Sequence, residues 1–195
     1  MPSPARLVLA SGSAYRRALL ERLKLPFEVR VSHADETRHP DEDPPALVLR
    51  LALAKAEAVR AQAPDALIIG SDQVAVYDGE IVGKPGNADE AARQLRRISG
   101  KTAVLYTGLA LLDAVTGRSR TAVETFRVTF RDLSEDRIAR YLAKERPFDC
   151  AGSVKSEGLG IALFERFEGD DPTTLIGLPL IRLTRLLESE GWSVV

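Results

Sequence analysis

Apolar residues recur along this chain in several rhythms, and each change of rhythm marks an element. Leu7-Val8-Leu9-Ala10 is a short unbroken apolar run before small polar residues, the mark of a strand buried on both faces. Ser11-Gly12-Ser13 makes a turn. A helix is expected over 14–23, with Leu19, Leu20 and Leu23 facing inward and Ser13 as its N-cap. Residues 27–31 read as a second short strand. Residues 32–45 form a polar loop rich in Asp, Glu and Pro. Pro44-Pro45 suits the first turn of a long helix that runs to about Ala63. Leu67-Ile68-Ile69 is a strand core that leads through Gly70-Ser71-Asp72-Gln73 into Val74-Ala75-Val76-Tyr77. Asp78-Gly79 is a hairpin turn that pairs Tyr77 with Glu80 and returns through Ile81-Val82.

Helical spacing resumes over 89–98, and Gly100 stops it. Residues 102–113 and 119–131 read as two long strands joined around Thr116-Gly117, with Phe126, Val128 and Phe130 alternating. Ser134-Glu135-Asp136-Arg137 opens another helix, to about Lys144, by the capping-box pattern. A glycine-rich stretch around Gly152, Gly158 and Gly160 follows, with a short strand over 161–164. The last helix covers about 179–190, and Trp192 covers an edge of the core. Strands and helices intermix, with crossovers and hairpins, so the expected class is α/β with a mixed sheet. No boundary is sharp enough to divide the chain.

Composition narrows the classes. The chain has 195 residues, 45% of them hydrophobic and 28% charged, with a formal net charge of −1. That balance gives no field suited to nucleic acid or an anionic membrane. The single cysteine, Cys150, excludes an intramolecular disulfide and a four-cysteine zinc site. Without an obvious base nearby it reads as a buried thiol rather than a nucleophile. After Met1-Pro2-Ser3-Pro4-Ala5-Arg6 the apolar run is too short for a signal h-region, and no stretch approaches membrane-spanning length. The expectation is a cytoplasmic protein.

Four segments are candidates for chemistry. In Leu9-Ala10-Ser11-Gly12-Ser13-Ala14-Tyr15-Arg16-Arg17 a strand ends and a helix begins with two arginines. A helix N-terminus exposes unpaired N–H groups that attract anions, and small residues let a phosphate approach. Ser11 adds a hydroxyl, and Arg16 a bidentate fork. A plain capped helix explains the pattern equally well. The second is Ile69-Gly70-Ser71-Asp72-Gln73 with Val82-Gly83-Lys84-Pro85. An acid directly after a buried strand is poorly placed for packing and well placed for a metal or a water. Extending the hairpin register sets Gln73 opposite Lys84 and gathers Asp72, Gln73 and Lys84. Strict alternation sends Asp72 to the other face from Lys84, so a bulge or a strand end is required.

The third is Asp35-Glu36-Thr37 with Lys55. Lys55 lies amid Leu51, Ala52, Leu53, Ala54 and Ala56, where a lysine more often reaches out to water than into a cleft. His33 and His39 flank the acids with no zinc spacing and read as loop residues. The fourth runs from Cys150 to Gly158. There Glu157 has the chemistry to accept two hydrogen bonds from a base edge, although a surface turn with a Lys155–Glu157 pair is favoured by composition.

Taken in order, these segments resemble the Maf family. Leu-Ala-Ser-Gly-Ser-x-x-Arg-Arg near the start, Asp35-Glu36-Thr37, Leu51 to Ala56 with its lysine, Gly70-Ser71-Asp72, Gly83-Lys84-Pro85 and Ser99-Gly100 occur in the family's order. Thr107-Gly108, Ser153-x-x-Ser156-Glu157-Gly158 and Gly177-Leu178-Pro179-Leu180 continue it. Each motif is weak alone; their order over nearly the whole chain is specific. The resemblance implies an elongated mixed sheet flanked by helices with a central cleft, as in the inosine-triphosphate pyrophosphatases. It implies a single domain, with two lobes around that cleft as the variant. It also implies hydrolysis of nucleoside triphosphates between the α and β phosphates with Mg²⁺ or Mn²⁺. By motif, Asp72 resembles the proton acceptor. Ser11, Arg16, Lys55 and Lys84 resemble the phosphate-binding groups, and Asp72 with Glu36 the metal ligands. A homodimer is the weakest of these expectations.

Tyr15, Gln73 and Glu157 point to the branch of the family that acts on 7-methyl-GTP. The dTTP/UTP branch resembles this chain less: it carries an arginine at the position of Tyr15 and a threonine at that of Gln73. The 7-methyl-GTP branch usually has tryptophan where Tyr15 stands. N7-methylated guanine is cationic, so an aromatic face attracts it by roughly 0.5–2 kcal/mol where an arginine repels it. Glu157 has the chemistry to accept from N1–H and the exocyclic amine, with Gln73 supporting the fit. The competing expectations are a dTTP/UTP or broad-specificity pyrophosphatase, and a nucleotide-binding regulator linked to septum formation.

Overall fold

The computed structural model describes residues 6–195. The Met1-Pro2-Ser3-Pro4-Ala5 segment, read above for a signal, lies outside the described residues. Seven strands form one mixed sheet: β1 (Arg6–Leu9), β2 (Glu28–Val29), β3 (Ala66–Tyr77), β4 (Glu80–Val82), β5 (Thr102–Asp113), β6 (Ser119–Phe130) and β7 (Phe164–Glu168). Their order is β2-β1-β3-β5-β6-β7, and β4 pairs with β3. β1 runs parallel to β2 and β3, whereas β3–β4 and β6–β7 are antiparallel. Five α-helices accompany them among the described residues: α1 (Ala14–Glu21), α2 (Pro44–Arg60), α3 (Ala88–Ile98), α4 (Glu135–Glu145) and α5 (Leu180–Ser189).

The helix starts follow local chemistry. Ser13, Asp43, Asn87 and Ser134 each accept a backbone N–H at the N-terminus of a helix. This satisfies a donor that would otherwise be orphaned. At α4 the reciprocal half of a capping box is missing. Arg137 stands where an acid is needed, and its side chain donates to the Asp132 carbonyl instead. The expected strand over 161–164 is also displaced. Leu159–Leu163 is a 3-10 turn, and the strand begins at Phe164. Gly158 and Gly160 shape that turn: a Cβ on Gly160 would lie 2.4 Å from the Lys155 carbonyl oxygen.

Internal contacts divide the chain into two compact units. The first takes the chain as far as Gln73, Tyr106–Glu124 and Asp171–Val195; the second takes Val74–Leu105 and Thr125–Asp170. In the first, strand alternation sorts two cores. Leu7, Leu9, Leu67, Ile69, Leu109 and Leu111 pack with Leu19 and Leu20 of α1 and Leu180, Leu183 and Leu187 of α5, with Trp192 at the margin. Val8, Ala10, Ala66, Ile68 and Leu112 pack with Ala56 and Val59 of α2. Both faces of β1 are therefore covered, which is why its sequence shows no polar alternation.

In the second unit, Phe126, Val128 and Phe130 of β6 are buried, as their alternation requires. Phe126 meets Phe167 and Phe130 meets Phe164 edge to face. The hairpin register places Tyr77 opposite Glu80 and Ala75 opposite Val82. Pairing ends there, so Lys84 lies beyond the ladder and the extended register is not formed. No helix among the described residues is long and apolar enough to cross a membrane.

Candidate active site

Alternation along β3 decides what meets Asp72. Positions 66 and 68 face α2, so 70 and 72 do as well. Gly70 lets the helix come close: a Cβ there would stand 2.0 Å from the Ala52 carbonyl oxygen. Gly108 does the same on β5, where a Cβ would lie 2.1 Å from the Val48 carbonyl oxygen. With α2 seated on bare backbone, Lys55 reaches Asp72. Its Nζ donates to Asp72 Oδ1 at 2.5 Å and lies 3.0 Å from Glu36 Oε1. Lys55 is 6% exposed and Asp72 7%. The lysine therefore turns inward to two carboxylates rather than out to water. Burial strengthens the attraction within the pair relative to the same charges at the surface.

Glu36 itself is exposed, on a loop that α2 holds in shape. Asp35 Oδ1 accepts the Thr37 N–H at 2.9 Å. Arg50 of α2 donates to the Thr37 carbonyl at 3.1 Å and to both oxygens of Glu42 at 2.6 and 2.7 Å. The Arg50 hydrogen bonds hold the Glu42 carboxyl at about 2, well below its ordinary 4.5. His33 and His39 are exposed on this loop.

The other face of β3 meets a short turn marked in the sequence only by Asp171-Pro172 and Gly177. Pro172–Ile176 is a 3-10 turn closed by Gly177, whose φ of 111° lies where a side chain is strained. The Gly177 carbonyl accepts Ser71 Oγ at 2.9 Å and Arg16 Nε at 2.9 Å. Gln73 Nε2 donates to Thr107 Oγ1 at 2.9 Å and to the Thr174 carbonyl at 2.6 Å, which fixes its amide orientation. The carbonyl accepts only, so the amide nitrogen must face it.

At the start of α1, Ser11 is buried and its Oγ accepts the Ser13 N–H at 3.2 Å. Tyr15 is half-buried on the first turn of the helix. Burial lowers the affinity of the half-buried Arg16 for its proton, while the charges of Asp72 and Glu36 raise it. Arg16, Lys55, Glu36 and Asp72 therefore share one electrostatic neighbourhood.

The remaining candidates belong to the second unit. Lys84 is exposed just past β4. Glu157 is exposed and accepts Ser156 Oγ at 3.2 Å. Lys155 Nζ lies 3.4 Å from Glu145 Oε1. Glu145 Oε2 also takes the Leu159 N–H at 2.6 Å, and the Tyr141 hydroxyl accepts the Lys155 N–H at 3.0 Å. Burial pushes the Tyr141 hydroxyl above its usual range. Cys150 is half-buried rather than buried, with Sγ 3.6 Å from Asp149 Oδ1.

Comparison with known proteins adds an independent line. The family described as Maf-like protein matches residues 6–190. The 7-methyl-GTP pyrophosphatase of Nitrosococcus oceani is 54% identical over 194 residues, which span 100% of this chain and 98% of that protein. The 7-methyl-GTP pyrophosphatase of Aromatoleum aromaticum is 56% identical over 187 residues, which span 96% of each. Matched from the first described strand to the end of the last helix, this chain belongs to the family of Maf-like proteins.

Proposed function

We propose that this chain hydrolyses 7-methyl-GTP between its α and β phosphates, releasing 7-methyl-GMP and pyrophosphate. The observation that carries this reading is the buried Lys55–Asp72 pair with Glu36 on the same ammonium, beside the anchored Arg16. The names of two relatives more than half identical to this chain point to the same substrate.

In this reaction Asp72 accepts a proton from the attacking water. Lys55 keeps the carboxylate oriented until substrate arrives. Arg16 supplies a planar fork for phosphate oxygens, and the N-terminus of α1 with Ser11 supplies neutral donors. Lys84 adds a further cation for the triphosphate. Tyr15 offers a π face to the cationic base, and Glu157 accepts from its N1–H and amine. Lys84 and Glu157 enter this reading through their motifs and chemistry.

Asp72 and Glu36 suit a divalent ion of the Mg²⁺ kind. One ammonium nitrogen touches both carboxylates, and Mg²⁺ commonly takes one or two carboxylates together with substrate phosphates. When bound, the ion supplies neutralisation of phosphate charge.

Pyrophosphate release from 7-methyl-GTP, GTP, UTP and dTTP, with and without Mg²⁺, tests the reading. We expect Mg²⁺-dependent release that is fastest with 7-methyl-GTP, and a shift toward UTP in Tyr15→Arg. Release fastest with UTP or dTTP in the unaltered protein would establish the pyrimidine reading instead. No release from any triphosphate would leave a nucleotide-binding regulator.

A further inference from the structure

Asp171 is a buried carboxylate that the proposed reaction does not use. It is 4% exposed, and no ion pair to it is present among the described residues. Its charge is met by hydrogen bonds alone. Oδ1 accepts the Thr173 N–H at 2.9 Å and the Thr173 hydroxyl at 2.5 Å, and Oδ2 accepts the Ile181 N–H at 2.7 Å. Thr173 Oγ1 in turn accepts the Leu180 N–H at 2.8 Å. The N-cap of α5 is Pro179, which offers no side-chain cap. Asp171 and Thr173 therefore cap α5 from a distance and draw residues 171–181 into a closed clamp.

Inside that clamp lie the carbonyls that orient the site. The Thr174 carbonyl takes Gln73 and Thr107 Oγ1, and the Gly177 carbonyl takes Ser71 and Arg16. Holding Nε commits one of the five N–H donors of Arg16, fixes the plane of the guanidinium and leaves the donors of the terminal nitrogens for a ligand. Gly177 holds this turn at a φ of 111°, where any side chain is strained.

We propose that Asp171 is a positioning residue for Arg16, locking the turn whose Gly177 carbonyl aims the guanidinium. A carboxylate is required because both oxygens accept. Asparagine keeps one acceptor and turns an NH₂ group toward a backbone N–H, a donor against a donor. The burial of the site makes that mismatch costly, and the turn shifts to relieve it.

The inference rests on the reading of Arg16 as a phosphate-binding group, and a double-mutant cycle separates the two. Arg16→Ala, Asp171→Asn and the double variant are assayed for kcat and KM with 7-methyl-GTP and Mg²⁺, alongside thermal denaturation. A displacement of ~1 Å can cost about a hundredfold, so Asp171→Asn alone is expected to lower kcat/KM by about tenfold or more. In the Arg16→Ala background the same change should cost less than about twofold, because the side chain it aims is gone. Its effect on Tm should be the same in both backgrounds, which a purely structural role would also give. The lost kinetic effect is what such a role would not give. Thr173→Val, which cuts the hydroxyl link to Leu180, should repeat the pattern more weakly and serves if Asp171→Asn fails to fold. Multiplicative losses in kcat/KM would overturn the inference alone. An Arg16→Ala variant with unchanged kinetics would overturn both it and the reading it rests on.

Discussion

The two units carry their candidate charges in opposite ways. In the first, Lys55 and Asp72 are sealed under α2, and Arg16 is hung from a backbone carbonyl. In the second, Lys84 and Glu157 stand exposed on loops. The difference teaches where the work of ordering falls. A buried, hydrogen-bonded charge holds its geometry before any ligand arrives, so little reorganisation remains for the reaction. An exposed charge on a loop must be ordered by the ligand, at the cost of side-chain freedom. Proton transfer at a fixed carboxylate suits the first arrangement, and closing a cation or an acceptor onto a nucleotide already bound suits the second.

The strongest way to break this comparison is at Asp72. Asp72→Asn keeps the volume and one acceptor for Lys55 and removes the proposed base. We expect turnover to fall by about 10²–10⁴-fold with the fold intact, checked by pyrophosphate release and circular dichroism. Substantial retained turnover would move the base elsewhere. Next comes Lys55→Met, which strands two carboxylates, one of them buried. Urea denaturation should show a loss of about 3 kcal/mol, since breaking a buried pair leaves an uncompensated charge. Adding Asp72→Asn to Lys55→Met should restore part of that loss, because the buried site is then neutral. A double variant less stable than either single one would show that the pair is not a coupled unit.

Much of the first unit was legible in the sequence. Its strand and helix positions and the Ser13 cap follow from periodicity and capping chemistry, as the Tyr77–Glu80 register of the second unit follows from its turn. The inward turn of Lys55 was not legible, because its cause lies on other strands: Gly70 and Gly108 admit α2, and a sequence does not say which helix faces which glycine. The role of the Pro172–Ile176 turn was hidden for a related reason. Asp171, Pro172 and Gly177 mark the turn locally, but the donors that its carbonyls take lie on distant elements. In the second unit, Glu145 of α4 likewise takes Lys155 and the Leu159 N–H from beyond the loop that follows the helix.

Two glycines sharpen the contrast at a smaller scale. Gly70→Ala pushes a methyl into the Ala52 carbonyl at the seat of α2. It should cost about 2 kcal/mol by overpacking and also lower turnover, since Lys55 moves with the helix. Gly83→Ala, beside Lys84, meets nothing within 4 Å and should change stability by less than about 0.5 kcal/mol. Equal losses at the two positions, read by urea denaturation, would remove the distinction between a close-packed seat and an open loop.

The smallest expected effect compares one acid from each unit. Arg50 holds Glu42 at about 2, and Arg96 holds Glu135 below its ordinary value by the same kind of hydrogen bond. A depressed carboxyl contributes stability that is complete above its unfolded value and drains as pH falls toward its folded one. For Glu42 that window runs from about 4.5 down to about 2. The Glu42 side chain is 10% exposed and that of Glu135 is 70%, so solvent screens the second pair far more. Melting temperatures across the window should therefore fall less steeply in Glu42→Gln than in the unaltered protein, and Glu135→Gln should scarcely change the slope. Because Arg50 also holds the Thr37 carbonyl, Glu42→Gln should loosen the loop that carries Glu36, the proposed second metal ligand, and raise the Mg²⁺ concentration needed for half-maximal turnover at neutral pH. A Glu135→Gln variant that flattened the acid limb as much as Glu42→Gln would mean that burial does not set the difference between the units.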